Sequence, residues 1–336
     1  MSLLTYFPHS LIFHSPSSSD GDSTVLWHIQ IVYITIVISI ALIGNFIIFT
    51  AICSIRRLHT IDNVFIANLA VSDFLFTLIE TCSNTTRRHN EAWKPPHDFV
   101  CYVIMASSVL CASASVFTQT AVAVNRHFAI TRPLHYPNFV NKTKIYISIL
   151  VIWIFAIVLA SPPLIWRPHN VICGEVESYD KSPTFEKVYM TVEWIFIFII
   201  PFGTMSAIDF KIYQIARNHA NRVKPGTSEE SASRTGTGGS VRRIQISNFE
   251  RQLKAAKMLV TIAGAFLVSW LPFFVTLTLW KFQKGIQINP KVFTIFLYVV
   301  YTLPAVNPAI YAFWSRDIRK GIKQLLFCCK RDRWET

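Results

Sequence analysis

Runs of about 20 mostly apolar residues recur seven times in this 336-residue chain, at roughly 27–53, 62–84, 100–128, 144–166, 188–213, 254–280 and 291–313. Polar stretches, most of them short, separate the runs. An apolar run of that length is long enough to cross a bilayer as a helix. The runs are continuous and do not alternate, so a β-barrel does not fit. The pattern predicts an all-α membrane protein, a bundle of seven transmembrane helices. A short amphipathic eighth helix should follow, because Ile318, Ile322, Leu325 and Leu326 recur at helical spacing against Arg316, Arg319, Lys320 and Lys323. Residues 1–26 read as a disordered N-terminus, 27–313 as the membrane domain, and 314–336 as the amphipathic helix and tail. Within the domain, 218–250 has few large apolar residues and reads as a flexible loop.

Charge adds the topology. With the N-terminus outside, the cytoplasmic pieces and inner helix ends hold 23 Lys and Arg and the outer ones hold 9. That bias is the positive-inside pattern. No cleavable signal peptide is evident in residues 1–26, so the first span is expected to direct insertion. The formal net charge of +13 then reads as attraction to anionic inner-leaflet lipid. No aromatic-plus-basic motif points to nucleic acid, which is not an expected partner.

Polar residues inside the apolar runs narrow the function. Asn45 lies in the first run, Asp73 midway through the second, Ser115 in the middle of the third and Asn307 late in the seventh. One polar group per helix at similar depth suggests a shared internal network, although separate helix–helix hydrogen bonds would give the same pattern. Asn307-Pro308 is costly in a membrane span, because proline removes a helix hydrogen bond and lipid solvates asparagine poorly. Pro272 should kink the sixth run close to Trp270. Arg126 ends the third run, where a basic residue is usually a topology anchor. Cys101 and Cys173 fall on the outer, oxidising side, and a disulfide between them would pin the loop over the bundle. Cys328 and Cys329 follow the amphipathic stretch and read equally as palmitoylation sites or as free thiols.

Taken in order, these residues resemble the rhodopsin-like (class A) G-protein-coupled receptors over about residues 27–329. The motifs are Gly44-Asn45, Asn68-Leu69-Ala70-Val71-Ser72-Asp73, Cys101 with Asn125-Arg126-His127, Trp153, Pro201, Phe266 with Trp270-Leu271-Pro272, and Asn307-Pro308 with Tyr311. The resemblance implies a small extracellular ligand and a heterotrimeric G protein as partners, with arrestin and receptor kinases besides. It implies no enzyme activity. The implied mechanism is outward movement of the sixth helix around Phe266, Trp270 and Pro272. Arg126 then meets the G-protein α subunit, and Tyr311 supports the open state. It also implies an allosteric sodium site at Asp73, Ser115 and Asn307, in which Leu303 and Pro304 replace polar residues that usually complete the shell.

Departures from the family pattern carry further expectations. Asn125 replaces the usual acid before Arg126, and Gln252 replaces the acid at the start of the sixth helix. Weak restraint of Arg126 and appreciable basal activity follow, with Asp209 as a substitute partner for Arg126. Ser108 stands where amine receptors carry aspartate, and Tyr301 where opsins carry the retinal lysine. By position the pocket is lined by Ser108, Val109, Ala112, Glu193, Trp194, Ile197, Phe273, Phe274, Leu297 and Tyr301, with Glu80 one helix face away. Glu80 and Glu193 beside an aromatic cage could receive a cation, or could be protonated or internally paired. The branch resemblance is to amine and melatonin receptors, so an amine-like or small aromatic ligand is expected, with a short peptide as the alternative. A seven-helix transporter or channel would also explain buried acids, but it predicts matched broken-helix repeats, and none is visible.

Overall fold

Seven helices long and apolar enough to cross a membrane form the protein, in a computed structural model that describes residues 21–89, 98–132, 135–136, 140–166, 171–172, 175–176, 184–223, 260–279 and 290–328. The first four are Gly21–Ser54, Ile61–His89, Asp98–Thr131 and Lys142–Ala160. The fifth runs from Thr184 to Val223 through a π-helical segment, Trp194–Ile199. The sixth is described over Val260–Leu279, and the seventh is Pro290–Trp314. The first helix thus begins at Gly21, inside the stretch expected to be disordered. A two-residue antiparallel ribbon, Val171–Ile172 with Glu175–Val176, lies in the loop after the fourth helix. Cys173, the side chain of Cys101, the side chain of Cys328 and Cys329 lie outside the described residues, as does most of the 218–250 loop.

Apolar side chains point outward as well as inward. Ile36, Ile43, Leu150, Ile154, Val158 and Val268 are all exposed. In water such a surface would be costly; in a bilayer it is the solvated face. The third and seventh helices bury 61% of their most apolar window, against 22% for the first. The third is the hub, packed on the second, fourth and fifth. Asn68 ties three helices together: its amide donates to Thr118 Oγ1 at 2.7 Å, and its carbonyl accepts from Trp153 Nε1 at 2.9 Å.

Proline sets where helices bend, and neighbours compensate. Pro308 cannot donate to the carbonyl of Pro304, four residues earlier. Asn45 Nδ2 from the first helix supplies that bond at 2.9 Å. Gly44 lets the first helix approach that closely, since a Cβ there would lie 2.8 Å from the Pro308 ring. Pro201 likewise cannot bond Ile197, and the π-helical segment sits directly before it, with Ile200 N–H reaching back to Ile195 O.

The amphipathic stretch forms the expected helix, Arg316–Cys328. Its apolar stripe divides. Ile318 is fully buried against the protein, while Leu326 is exposed. The docking partner is Leu58 of the turn Arg56–Leu58, which sits where a Gly321 side chain would be. Arg57 and Asp317 close the contact at 2.9 Å.

Candidate functional site

The second and third helices run antiparallel and, among the described residues, meet through side-chain hydrogen bonds at four levels. From the outer end inward, Ser108 Oγ donates to Glu80 Oε1 at 2.6 Å, and Ser115 Oγ to Asp73 Oδ1 at 2.6 Å. Asn68 Nδ2 then donates to Thr118, and Asn125 Nδ2 to Asp62 Oδ1 at 2.8 Å. At three of the four levels the second helix brings a carboxylate and the third brings the donor. Seven residues separate Glu80 from Asp73, so these levels lie about 10 Å apart along the helix.

The outer level is a buried carboxylate shared by three helices. Glu80 accepts from Ser108 and, on its other oxygen, from Tyr301 of the seventh helix at 3.0 Å. The Phe76 and Tyr301 rings lie 6.4 Å apart beside it. Most positions expected to line a pocket belong to one buried cluster that runs from this level toward the inner end. Val109, Ile197, Phe273, Phe274, Leu297 and Tyr301 share one buried cluster, with Ala112 and Trp194 packed against it. Trp194 lies 4.8 Å from Phe274 ring to ring, and its indole N–H bonds Thr278 Oγ1 at 2.6 Å. Glu193 is fully buried at the π-segment's start. Neither carboxylate oxygen meets a described donor in hydrogen-bond geometry, although the Tyr189 phenol is near enough to act on the carboxylate. Tyr189, one turn earlier, donates to the Leu159 carbonyl instead, at 2.9 Å.

One level inward, Asp73 Oδ2 accepts from Asn307 Nδ2 at 2.7 Å, and Ser115 Oγ also meets Ser72 Oγ at 3.0 Å. Asp73, Ser115 and Asn307 therefore share a network as expected from sequence, whereas Asn45, expected in it, donates to the Ala41 and Pro304 carbonyls instead. Its donor set, a carboxylate and two hydroxyls, consists of the hard oxygens that bind alkali and alkaline-earth cations. Asn307 Oδ1 is buried and accepts no hydrogen bond from a described residue, so an oxygen is available on the seventh helix too. These residues fit a small cation. Beside the Pro272 hinge, Trp270 lies 5.5 Å from Phe274 and 6.1 Å from Phe266. Its indole N–H is buried and bonds no described residue, so no hydrogen bond to one resists rotation of the ring.

The inner level corrects the expected restraint on Arg126. Its guanidinium pairs with Asp62, at the start of the second helix, at 2.7 Å. Asn125 holds the other oxygen of the same carboxylate and accepts from Tyr136 OH at 3.1 Å. Burial and the nearby Asp62 carboxylate hold the Tyr136 phenol above its usual range, so it stays a donor at physiological pH. Asp209 does not take the place of the missing acid. It lines a cleft with Gln119, Met205 and Tyr311, and its Oδ1 has no hydrogen-bond partner among the described residues. Sequence reasoning missed Asp62 because helical periodicity within one run says nothing about its register against another. The available signal was an acid in the first turn of the second run, facing the end of the third, where an acid was lacking.

A seven-helix bundle with a polar spine, an aromatic cluster around a proline in the sixth helix and a paired arginine at the inner end is the architecture of a seven-helix membrane receptor. The 7 transmembrane receptor (rhodopsin family) profile matches residues 44–311, and the chain belongs to that family. It is a multi-pass membrane protein and a G-protein-coupled receptor. Its similarity to individual relatives is moderate and covers most of this chain. The chain is 28% identical to the Histamine H2 receptor of Homo sapiens, over 92% of this chain and 82% of that one. It is 28% identical to 5-hydroxytryptamine receptor 4 of Rattus norvegicus, over 95% and 80%. It is 26% identical to the Alpha-1D adrenergic receptor of Homo sapiens, over 90% and 57%.

Proposed function

We propose that this receptor takes a small amine-like or aromatic ligand from the extracellular side, where its N-terminus lies, and passes the signal inward through the sixth helix. The observation that carries the reading is Glu193, a fully buried acid whose oxygens stand in hydrogen-bond geometry with no described residue, next in the chain to Trp194, whose ring packs on Phe198 and Phe274. Such a group is costly in a membrane protein unless a cation or donor meets it. Aromatic faces add attraction for a cation. Relatives named for histamine, 5-hydroxytryptamine and adrenergic ligands support the same class. Ser108, Val109, Ala112, Ile197, Phe273, Leu297 and Tyr301 complete the pocket.

A ligand bound there favours a Trp270 and Phe266 arrangement in which the sixth helix swings out at Pro272. It does so only to the extent that it binds that state more tightly. Arg126 leaves Asp62 and meets the G-protein α subunit, while the Asn307-Pro308 break lets Tyr311 turn inward. Asp73, Ser115 and Asn307 would hold a sodium ion that favours the closed state. A Cys101–Cys173 disulfide, palmitoylated Cys328 and Cys329, inner-leaflet lipid under Arg319, Lys320 and Lys323, and arrestin and receptor kinases complete the proposed setting.

The test is nucleotide exchange on purified heterotrimers, driven by the receptor in nanodiscs against a panel of monoamines, indoles and short peptides. At least one amine or indole should accelerate exchange, and Glu193→Gln should weaken it about tenfold. Activation by peptides alone would replace this reading with the short-peptide one.

A further inference from the structure

We infer that the cleft between Gln119 and Asp209 is a second cation site, inward of the Asp73 network, which takes a monovalent alkali ion from the cytosolic side. Gln119 lies one turn inward of Ser115 on the third helix, and Asp209 lies in the inner half of the fifth. The walls of the cleft are mostly apolar, with Leu69, Val122, Met205 and Ile262 among them. Gln119 and Asp209 break that lining. Gln119 is only 4% exposed, and neither its amide oxygen nor its amide nitrogen bonds a described residue. Asp209 Oδ1 is buried and likewise unbonded, and the carboxylate enters no ion pair with a described residue. Arg126 is already paired with Asp62 at 2.7 Å. A buried amide with both ends unbonded is costly, and a carboxylate in an apolar wall costs more unless a counter-charge reaches it.

Size and charge choose the occupant. The free volume of the cleft, about 10 Å³, holds one water-sized particle, which excludes an organic cation. A water molecule would meet the amide but leave the charge of the carboxylate uncompensated. An alkali ion answers the charge, and the carboxylate and amide oxygens are the hard donors it prefers. One carboxylate balances one positive charge. Among the described residues no group of three or more His, Cys, Asp or Glu side chains gathers to cage a divalent ion. The site shares none of these donors with Asp73, Ser115 and Asn307, and it does not depend on which ligand the outer pocket takes.

The experiment follows thermal unfolding of the full chain in nanodiscs as KCl or NaCl replaces choline chloride at constant ionic strength. Asp73→Asn removes the charge of the Asp73 network, so the alkali response that remains belongs to the inner cleft. In that variant Tm should still rise by several degrees with K+ or Na+ and then saturate. Adding Asp209→Asn should remove the rise. Adding Gln119→Leu instead keeps the charge but takes away the amide oxygen, and should raise the half-saturating concentration about tenfold. Asp209→Asn alone should cut the alkali-dependent rise of the native chain by about half or more, a second route should Asp73→Asn fail to fold. Loss of the whole response in Asp73→Asn, its survival in Asp73→Asn with Asp209→Asn, or a native response unchanged by Asp209→Asn overturns the inference. A cleft that holds water alone gives the first or the last of these results.

Discussion

Arg126 shows how one residue can keep its restraint after losing the neighbour that usually supplies it. Asn125 cannot pair with a guanidinium, yet Asp62 pairs with Arg126 and accepts from Asn125, and Tyr136 fixes the Asn125 carbonyl. Low restraint, the expectation from the Asn125-Arg126 sequence, is therefore replaced by restraint from another helix. The pair is partly exposed, with side chains 18% and 24% accessible, so screening limits its worth to about 1 kcal/mol. Asp62→Asn should raise agonist-free nucleotide exchange about fivefold. Adding Asn125→Asp to that variant puts a carboxylate back within reach of Arg126 and should return exchange to the native level. Basal exchange that does not rise in Asp62→Asn would mean the pair does not hold the closed state. The residues of the network were themselves legible: Asp73, Ser115 and Asn307 stand out as polar groups in apolar runs, and they do meet. Their partners on other helices were not. Asp62 looked unremarkable until the register between two helices was known.

At the scale of the elements, close approach between helices is set by glycine, and the two close contacts differ in what they press against. A Cβ on Gly44 would lie 2.8 Å from two atoms of the Pro308 ring, and that ring is locked into the seventh helix. A Cβ on Gly321 would lie 2.6 Å from Leu58 Cδ1, the far end of a flexible side chain. Gly44→Ala should therefore push the first and seventh helices apart and weaken the Asn45 bond to the Pro304 carbonyl, costing about 2 kcal/mol. Gly321→Ala asks only for a new Leu58 rotamer, at about 1 kcal/mol or less. Thermal unfolding in detergent should show a drop in Tm of several degrees for the first and a small one for the second. Equal drops would mean that Leu58 is as fixed as the proline ring. The seven spans were legible in the sequence because lipid demands long apolar runs and each run satisfies that demand locally. The π-helical segment was not, since Trp194–Ile199 reads as equally apolar in either winding. Only Pro201 behind it hints at the irregularity. The eighth helix was half legible: its period predicts the helix, while the burial of Ile318 against Leu58 comes from tertiary docking.

For the whole molecule, the proposed relay links the two ends of the bundle through helices with two arrangements, and Pro272 makes the sixth the candidate to move. Pro272 interrupts its hydrogen bonding, and Trp270 packs between Phe266 and Phe274 without a hydrogen bond to any described residue. Further inward on the same helix, Ile262 and Ala263 border the cleft shared with Gln119, Asp209 and Tyr311. Gln119 is buried, and neither end of its amide bonds a described residue. A polar group in that layer lowers the cost of water entry when the sixth helix swings away. Spin labels at Thr131 and Val260, both exposed, report the opening directly once the exposed thiols Cys53 and Cys82 are replaced by serine. Their separation should lengthen by several ångströms with agonist and further with a nucleotide-free heterotrimer, because each ligand stabilises the open state only through its preference for it. In Gln119→Leu the layer becomes apolar, and the open population at a fixed agonist concentration should fall severalfold with no change in the closed-state distance. A separation that stays fixed under every ligand and partner would rule out sixth-helix movement as the relay. An open population unaffected by Gln119→Leu would show that the polar layer takes no part in it.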